Sequence, residues 1–402
     1  MYPTLYHALM DLFGWEIPAL KLINSFGLFV ALAFVVAAAL LRRELDRLEV
    51  AGVFKPSTTQ IEVGGPIRKS EYLTQGIVGF LIGWKFLYLI FNANTLFQSG
   101  LPQSHLFSAD GNLLWGLFVA ALFVLLKWRE GRKFNSSKAT IKDVLNPVNV
   151  HVGGIVTAAA IGGITGAKLF HLLEYPDEFI RFFQEPSLSN FLGGLTIYGG
   201  LIVGGLAVYV YARKHQLSFL HLADAVAPGL MLGYGVGRIG CQVSGDGDWG
   251  IPNPEPQPEW LAWLPEWMWS YNFPNNVNGV YGTYPSGYTG KLITESDPWP
   301  RFEGYGTYLD PGVFPTAFYE TIMAVVIFFI LWSLRKRLKV GGQLFALYCM
   351  FNGIERFFIE KIRVNVELEF LGATQAELIS ILTFAAGGIL WFTLREKDSS
   401  KK

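Results

Sequence analysis

Charged side chains at helical spacing on one apolar segment are the strongest sign of chemistry in this sequence. Arg356 and Glu360 lie four residues apart and Arg363 follows three residues later, so all three share one helical face. Charges within an apolar helix are costly unless they face a cavity or a partner. An internal Arg356–Glu360 ion pair is the simpler interpretation. Because two arginines leave a positive charge that one carboxylate cannot balance, we favour an anion site.

A second candidate is Arg238, which lies in the glycine-rich stretch 233–250. Gly235, Gly237 and Gly240 match the GxGxxG pattern, but dinucleotide binding requires that pattern after a β-strand, and here it follows an apolar helix. Glycines permit close backbone approach, so backbone amides and the Arg238 guanidinium could together bind an anion. The stretch therefore predicts an anion site and not a nucleotide site.

Metal and disulfide chemistry are not expected. Cys241 and Cys349 are too few for a disulfide framework, and neither lies in a CxxC motif or a Cys/His cluster. Asp246 and Asp248 lack the later glutamate of a calcium loop. We therefore predict no metal site and no cofactor.

Two further positions could accept a proton. Lys168, His171 and Glu174 recur at intervals of three, so an ammonium and a carboxylate could tune the imidazole. An interfacial ion pair is the alternative. Tyr198 precedes the glycine-rich stretch 199–205, whose small-xxx-small spacing predicts tight helix contact. Packing explains such glycines but does not explain a tyrosine beside them.

The elements that carry these residues belong to a membrane protein. Of 402 residues, 51% are apolar and only 16% are charged, whereas about 25% are charged in soluble domains. The net charge of zero excludes the basic surface of a nucleic-acid-binding protein. Because a span needs about 20 apolar residues, we predict an all-α polytopic membrane protein with about nine transmembrane helices. Their windows are 21–41, 73–92, 112–128, 151–172, 195–213, 219–238, 313–334, 343–362 and 376–394.

Basic residues set the predicted orientation. Assigning alternate loops to the cytoplasm places 22 of the 32 Lys and Arg residues inside, as the positive-inside rule requires. The N-terminus is therefore expected outside and the C-terminus inside. Polar residues of six spans then fall at the outer ends of their helices and can converge at one depth. They are Asn24, Ser25, His171, Tyr198, Arg238, Tyr319, Arg356, Glu360 and Arg363.

The stretch between the sixth and seventh windows differs from the rest of the chain. Residues 252–315 hold 11 of the 20 prolines and five tryptophans, so a long helix is excluded there. Tryptophan rings favour the lipid headgroup layer. We predict an irregular external cap, residues 240–312, that rests on the outer leaflet. A mobile loop is the alternative.

Several motifs resemble those of bacterial prolipoprotein diacylglyceryl transferases. Gly237-Arg238-Ile-Gly240 resembles the family's G-R-x-G signature, and Gly193-Gly194 with Gly199-Gly200 resembles its GG-x-x-x-H-GG. Pro315, Tyr319 and Glu320 resemble its P-x-x-x-Y-E. Arg356, Glu360 and Arg363 resemble its R-x-x-x-E-x-x-R. The similarity covers about 21–42 and 150–395. Residues 60–128 look like two spans added to the seven of the family.

This resemblance suggests five regions. They are residues 1–59, an interfacial segment and the first span; 60–128, an inserted two-span hairpin; 129–239, core spans with the GG and GRIG motifs; 240–312, the cap; and 313–402, three C-terminal core spans.

The resemblance implies a multi-pass enzyme of the bacterial cytoplasmic (inner) membrane whose site faces the outer, periplasmic leaflet. The implied reaction moves the diacylglyceryl group of phosphatidylglycerol to the lipobox cysteine of an exported prolipoprotein and releases glycerol phosphate. Charge growing on that phosphate needs fixed donors, for which Arg238 and Arg356 are the candidates, with Arg363 and Glu360 orienting them. The other candidate substrate contacts are Gly199, Gly200, Tyr319, Ser25, Cys241 and Asp246.

Three positions depart from the family pattern. Tyr198 stands where the family has histidine, Cys241 replaces its asparagine, and Phe26 replaces a tyrosine. A phenol with a pKa of about 10 is a poor base at neutral pH. We therefore predict that either His171 or a Tyr198 phenolate stabilised by arginines takes the thiol proton.

Two other functions remain open. One is a relative that binds lipid or lipoprotein without catalysis, which fits the replaced histidine and asparagine. The other is a secondary transporter with a helix broken around Gly229 to Gly240, whose polar groups should lie near the bilayer midplane and not at one face.

Overall fold

The computed structural model describes residues 1–63, 67–96, 105, 108, 110–134, 140–177, 179, 194, 196–284, 286–365, 367, 368 and 372–399. Gly193 and Leu195, next to the predicted GG motif, lie outside the described residues. Helices dominate this part of the chain. They are α1 (Leu5–Phe13), α2 (Ser25–Val50), α3 (Lys69–Leu81), α4 (Tyr88–Phe91), α5 (Ala93–Leu96), α6 (Leu113–Phe134), α7 (His151–Glu174), α8 (Ile197–Lys214), α9 (Phe219–Ser244), α10 (Thr316–Leu334), α11 (Gln343–Glu360) and α12 (Gln375–Ser399).

Long apolar helices confirm a polytopic membrane protein. Each of the nine predicted windows overlaps helical structure in the described residues. Among the described residues, six helices are long and apolar enough to cross a membrane, and they cover Ser25–Val50, Lys69–Phe91, Val148–Glu174, Phe219–Ser244, Thr316–Leu334 and Gln375–Arg395. The other three windows are covered by α6, α8 and α11.

Short strands accompany the helices, so the protein is mostly helical, with small sheets that the prediction did not include. The strands are β1 (Ser57–Val63), β2 (Thr140–Asn146), β3 (Gly282–Thr283), β4 (Thr289–Leu292), β5 (Thr307–Asp310), β6 (Glu367–Leu368) and β7 (Ala373–Thr374). They form three antiparallel sheets, in the orders β1-β2, β3-β4-β5 and β6-β7. Strands of two to seven residues in loops give no long periodic pattern, so the sequence did not reveal them.

The inserted segment is a helical hairpin closed by a two-stranded ribbon. Its helices α3 and α6 pack against each other. β1 precedes them and β2 follows them, with Ser57 opposite Asn146 and Val63 opposite Thr140. The unit that packs together therefore extends beyond the predicted boundaries 60–128.

Glycines bring α7 and α8 into close contact, as their spacing predicts. A Cβ atom on Gly162 would meet the backbone of Val203 and Gly204, and one on Gly166 would meet the carbonyl oxygen of Gly199. The backbones of the two helices can therefore come into direct contact. This contact fixes the position of Tyr198 at the start of α8.

Helix α9 is the centre of the bundle, because it packs against α2, α10 and α11. It runs without a break through Pro228. Gly240 lies against Phe26 and Phe29 of α2, and Gly235 lies against Ala324 of α10. These contacts place the last turns of α9 beside the first turns of α10.

The cap, here defined as residues 245–315, is mostly irregular, as predicted, but it has a core and a small sheet of its own. It contains the β3-β4-β5 sheet. Its buried core consists of Trp249, Phe273, Val280, Tyr288, Leu309 and Val313. The prolines prevent long helices, as predicted, but the aromatic rings pack inward on this core as well as outward.

Candidate active site

Arg238 and Glu320 form the buried centre of the site. Arg238 lies in the last turns of α9 and Glu320 in the second turn of α10, and the Arg238 Nε forms an ion pair with the Glu320 carboxylate. The Glu320 side chain is 0% exposed. Tyr234, one turn before Arg238, donates its hydroxyl to Glu320 Oε2 at 2.7 Å, and its ring lies 5.2 Å from the guanidinium carbon. A carboxylate buried to this degree needs such partners to remain charged.

Two further arginines reach the same carboxylate. Arg356 Nη1 lies 3.5 Å and Arg363 Nη1 lies 3.2 Å from Glu320 Oε1. Arg356 Nη2 also contacts Glu360 Oε2 at 2.8 Å. The i,i+4 pair considered from sequence is therefore present, but it belongs to a larger network of three arginines.

Asp248 binds two of these arginines at once. Its Oδ1 lies 2.5 Å from Arg363 Nη2, and its Oδ2 forms an ion pair with Arg238 Nη1. Burial raises the pKa of the Asp248 carboxyl, but the charges of Arg238 and Arg363 outweigh burial and hold this pKa at about 2. The Asp248 carboxyl is therefore deprotonated at neutral pH, and it lies between two guanidinium groups.

Cys241 and Asp246 lie beside this pair. The Cys241 Sγ is 3.8 Å from both Arg238 Nη1 and Asp248 Oδ2. Asp246 Oδ1 accepts the Asp248 backbone N–H at 3.3 Å, and burial together with the Asp248 charge raises the Asp246 pKa. Ligand atoms of the three residues lie within 4.8 Å of one another. Guanidinium groups already contact both Asp248 oxygens. The cluster of Cys241, Asp246 and Asp248 therefore suits an anion better than a metal ion.

The cap and the segment after α11 hold the arginines in place. Gly250 pairs with Arg363 across an antiparallel bridge, and the Ile251 N–H donates to the Ile362 carbonyl at 2.9 Å. Thr374 donates its hydroxyl to Glu360 at 2.8 Å. Arg363 is thereby fixed by backbone pairing, although it lies beyond the last turn of its helix.

The two candidate bases lie in different surroundings. Tyr198, in the first turn of α8, interacts electrostatically with Arg356, Glu360 and Arg363. His171 is buried in the last turn of α7, where its ring centroid lies 4.8 Å from that of Tyr175 and its imidazole lies against Gly194. Tyr198 therefore belongs to the arginine network by charge.

Other predicted substrate contacts have packing or anchoring roles in the structure. Gly199 lies against Gly166 and Phe170, and Gly200 lies against Gly163 and Ala167. Tyr319 donates its hydroxyl to the Met268 carbonyl of the cap at 2.7 Å. Ser25 is buried at the start of α2, where its backbone N–H donates to the Pro3 carbonyl at 3.0 Å.

From the sequence, Glu320 is named only in a family motif and Asp248 only as a calcium ligand to be rejected, and neither they nor Tyr234 are placed in the site. Glu320 carries a usable signal, because it is an ionisable residue within an apolar window. Asp248 and Tyr234 have no such signal, since loop aspartates and helical tyrosines are ordinary.

A family profile described as prolipoprotein diacylglyceryl transferase matches residues 109–393. This chain belongs to that family. The match includes α7 to α11 and the residues that follow α11, and therefore Arg238, Arg356 and Arg363.

Curated relatives of the family agree with this assignment. The phosphatidylglycerol–prolipoprotein diacylglyceryl transferase of Corynebacterium glutamicum is 29% identical over 256 residues, which cover 62% of this chain and 71% of the relative. The enzyme of the same name from Corynebacterium diphtheriae is 28% identical over 63% of this chain and 81% of its own. That of Bifidobacterium adolescentis is 28% identical over 61% and 66%.

Proposed function

We propose that this protein transfers the diacylglyceryl group of phosphatidylglycerol to the lipobox cysteine thiol of prolipoproteins. The observation that carries the proposal is the convergence of Arg238, Arg356 and Arg363 from separate elements on Glu320. Guanidinium groups bind phosphate oxygens through paired hydrogen bonds. The site therefore suits a reaction whose leaving group is a phosphate.

The reaction makes one bond and breaks one. The cysteine thiolate attacks the glycerol carbon of the lipid that bears the phosphate, a C–S bond forms, and the C–O bond to the phosphate breaks. Glycerol phosphate leaves with the bonding electron pair, and Arg238 and Arg356 stabilise the charge that grows on it. Arg363 and Glu360 orient these donors. No cofactor is needed for this displacement.

The thiol must lose a proton before or during the attack, since a free cysteine has a pKa of about 8.5. Tyr198 or His171 accepts this proton. Tyr198 is a candidate because it stands at the family's histidine position and lies among the charges of Arg356, Glu360 and Arg363. His171 would act from the neighbouring end of α7.

The protein is proposed to cross the inner membrane nine times, with its N-terminus outside and the arginine network near the outer leaflet. Basic side chains support this orientation. Arg47 and Arg335 share the buried Glu44, and Arg213 and Lys214 lie in the last turn of α8, all at the side assigned to the cytoplasm. The donor lipid and the signal peptide would both reach the site from the membrane.

Incubation of the purified protein with phosphatidylglycerol and a synthetic lipobox peptide tests the proposal. We expect mass spectrometry to detect peptide that has gained one diacylglyceryl group, together with released glycerol phosphate. A peptide with serine in place of the cysteine is the control. Binding of both substrates without a mass gain would support the second candidate, a non-catalytic relative, which the presence of Tyr198 and Cys241 at two family positions favours.

A further inference from the structure

Asp248 differs from the other carboxylates of the network in its access to solvent. Its side chain is 35% exposed, whereas those of Glu320 and Glu360 are 0% exposed. All three contact arginines. An anion that approaches the arginines from outside the protein therefore meets Asp248 before it meets the two glutamates.

The position of Asp248 is that of a bound anion. Its two oxygens are held by separate guanidinium groups, Arg363 Nη2 on one and Arg238 Nη1 on the other. A phosphate offers the same arrangement, with two oxygens that can each accept from a different arginine. Carboxylate and phosphate would therefore compete for these donors.

The backbone around Asp248 is fixed, so that only its side chain needs to move. The Asp248 carbonyl accepts the Thr316 hydroxyl at 2.8 Å. The Gly250 N–H donates to the Phe314 carbonyl at 2.8 Å. Rotation of the Asp248 side chain would release Arg238 and Arg363 while both bonds remain.

We propose that the Asp248 carboxylate occupies the phosphate site of the empty enzyme and is displaced by the phosphate of the donor lipid. This inference rests on the proposed function. Asp248 is then a positioning residue, because it holds Arg238 and Arg363 in alignment before the donor arrives. It also lowers the affinity for the donor, since each phosphate must first displace it.

Binding of glycerol 1-phosphate to the detergent-solubilised protein, measured by calorimetry, tests the proposal directly. Asp248→Asn removes the competing charge, and we expect about tenfold tighter binding, the factor that corresponds to one charge-assisted hydrogen bond. Asp248→Glu keeps the charge and should bind as weakly as the wild type. The control Asp310→Asn makes the same change at an ion pair with Lys291 in the cap, outside the network, and should leave binding unchanged.

Glu360→Gln distinguishes competition between Asp248 and phosphate from a general effect of removing a negative charge near the arginines. It removes a carboxylate beside Arg356 that does not bridge Arg238 and Arg363. If Glu360→Gln tightens binding as much as Asp248→Asn, or if Asp248→Asn binds no tighter than the wild type, Asp248 does not occupy the phosphate site. Thermal unfolding of each variant shows whether it is folded.

Kinetics separate this inference from the proposed function. In the transfer assay, Asp248→Asn should lower the KM for phosphatidylglycerol without raising kcat, because the change acts on donor binding. If the wild type transfers diacylglyceryl and Asp248→Asn has an unchanged KM, this inference fails and the proposed function stands. If the wild type transfers nothing, the proposed function fails, whereas the binding measurement still decides whether Asp248 competes with phosphate.

Discussion

Arg238 and Arg356 lie on different helices and share one buried carboxylate, that of Glu320. Without a common carboxylate the two guanidinium groups would repel each other in a low-dielectric site. Glu320 thus permits two positive charges to remain close together and to face the same ligand. Several predictions about the site depend on this arrangement.

Arg238→Lys should reduce diacylglyceryl transfer about 10² to 10³ fold, the usual loss when one fixed donor to a developing charge is removed. An ammonium group keeps the charge but lacks the planar set of N–H donors with which a guanidinium group can bind Glu320, Asp248 and a phosphate. Turnover of purified variants in the mass-shift assay measures the effect. Arg301→Lys, an exposed position in the cap, is the control and should retain wild-type turnover. Equal rates for both variants would argue against phosphate binding by Arg238.

Glu320→Gln should destabilise the whole protein. The substitution leaves three arginines around a neutral amide in a buried site, and breaking a buried ion pair on one side typically costs about 3 to 5 kcal/mol. We expect a lower midpoint of thermal unfolding in detergent together with loss of transfer. An unchanged midpoint would mean that Glu320 is not required to balance the arginines.

Tyr198→Phe and His171→Ala identify the base. Removal of the residue that accepts the thiol proton should slow transfer about 10² fold or more at neutral pH. The same substitution should have less effect at a pH near the pKa of the thiol, where more thiolate is present without a base. Transfer rates from pH 6 to about 9 provide the comparison. Full activity in both variants would exclude both residues.

Gly199→Ala should impair activity through helix packing. A Cβ atom at this position would meet the Gly166 carbonyl and the Phe170 side chain, so α8 must move away from α7 and carry Tyr198 with it. Gly205→Ala is the matched control, because nothing lies within 4 Å of a Cβ atom there. We expect a lower unfolding midpoint and slower transfer for Gly199→Ala alone. Identical behaviour of the two variants would contradict the close contact of α7 and α8.

His7 should make the docking of α1 dependent on pH. Burial against Phe302, at 4.8 Å between ring centroids, lowers the His7 pKa to about 4. An undocked histidine titrates near 6.5. As the pH falls from about 6.5 to 4, the undocked segment therefore binds a proton that the docked one does not, and docking weakens.

Hydrogen exchange of residues 5–13 at several pH values, corrected for the intrinsic exchange rate, measures this dependence. His7→Phe keeps an aromatic ring against Phe302 and removes the titration. Its protection should stay constant between pH 6.5 and about 4. The same decline in wild type and variant would assign the effect to another group.

The sequence by itself determined that this is a polytopic membrane protein and where its long apolar helices lie. Apolar windows of about 20 residues form helices because the bilayer interior satisfies no backbone hydrogen bonds. The small-xxx-small spacing also predicted tight helix contact at these glycines, and the structure identifies α7 and α8 as the partners. These features are local, since each depends on the composition or periodicity of one segment.

Only the tertiary structure decided which charges meet. Periodicity placed Arg356, Glu360 and Arg363 on one face of α11 and the residues that follow it, but it could not show which helix that face contacts. The mutual packing of α9, α10 and α11 brings Glu320 to three arginines, and the cap brings Asp248 between two of them. Ion pairing depends on distances between segments far apart in the chain, and folding fixes these distances through the burial of many apolar side chains at once.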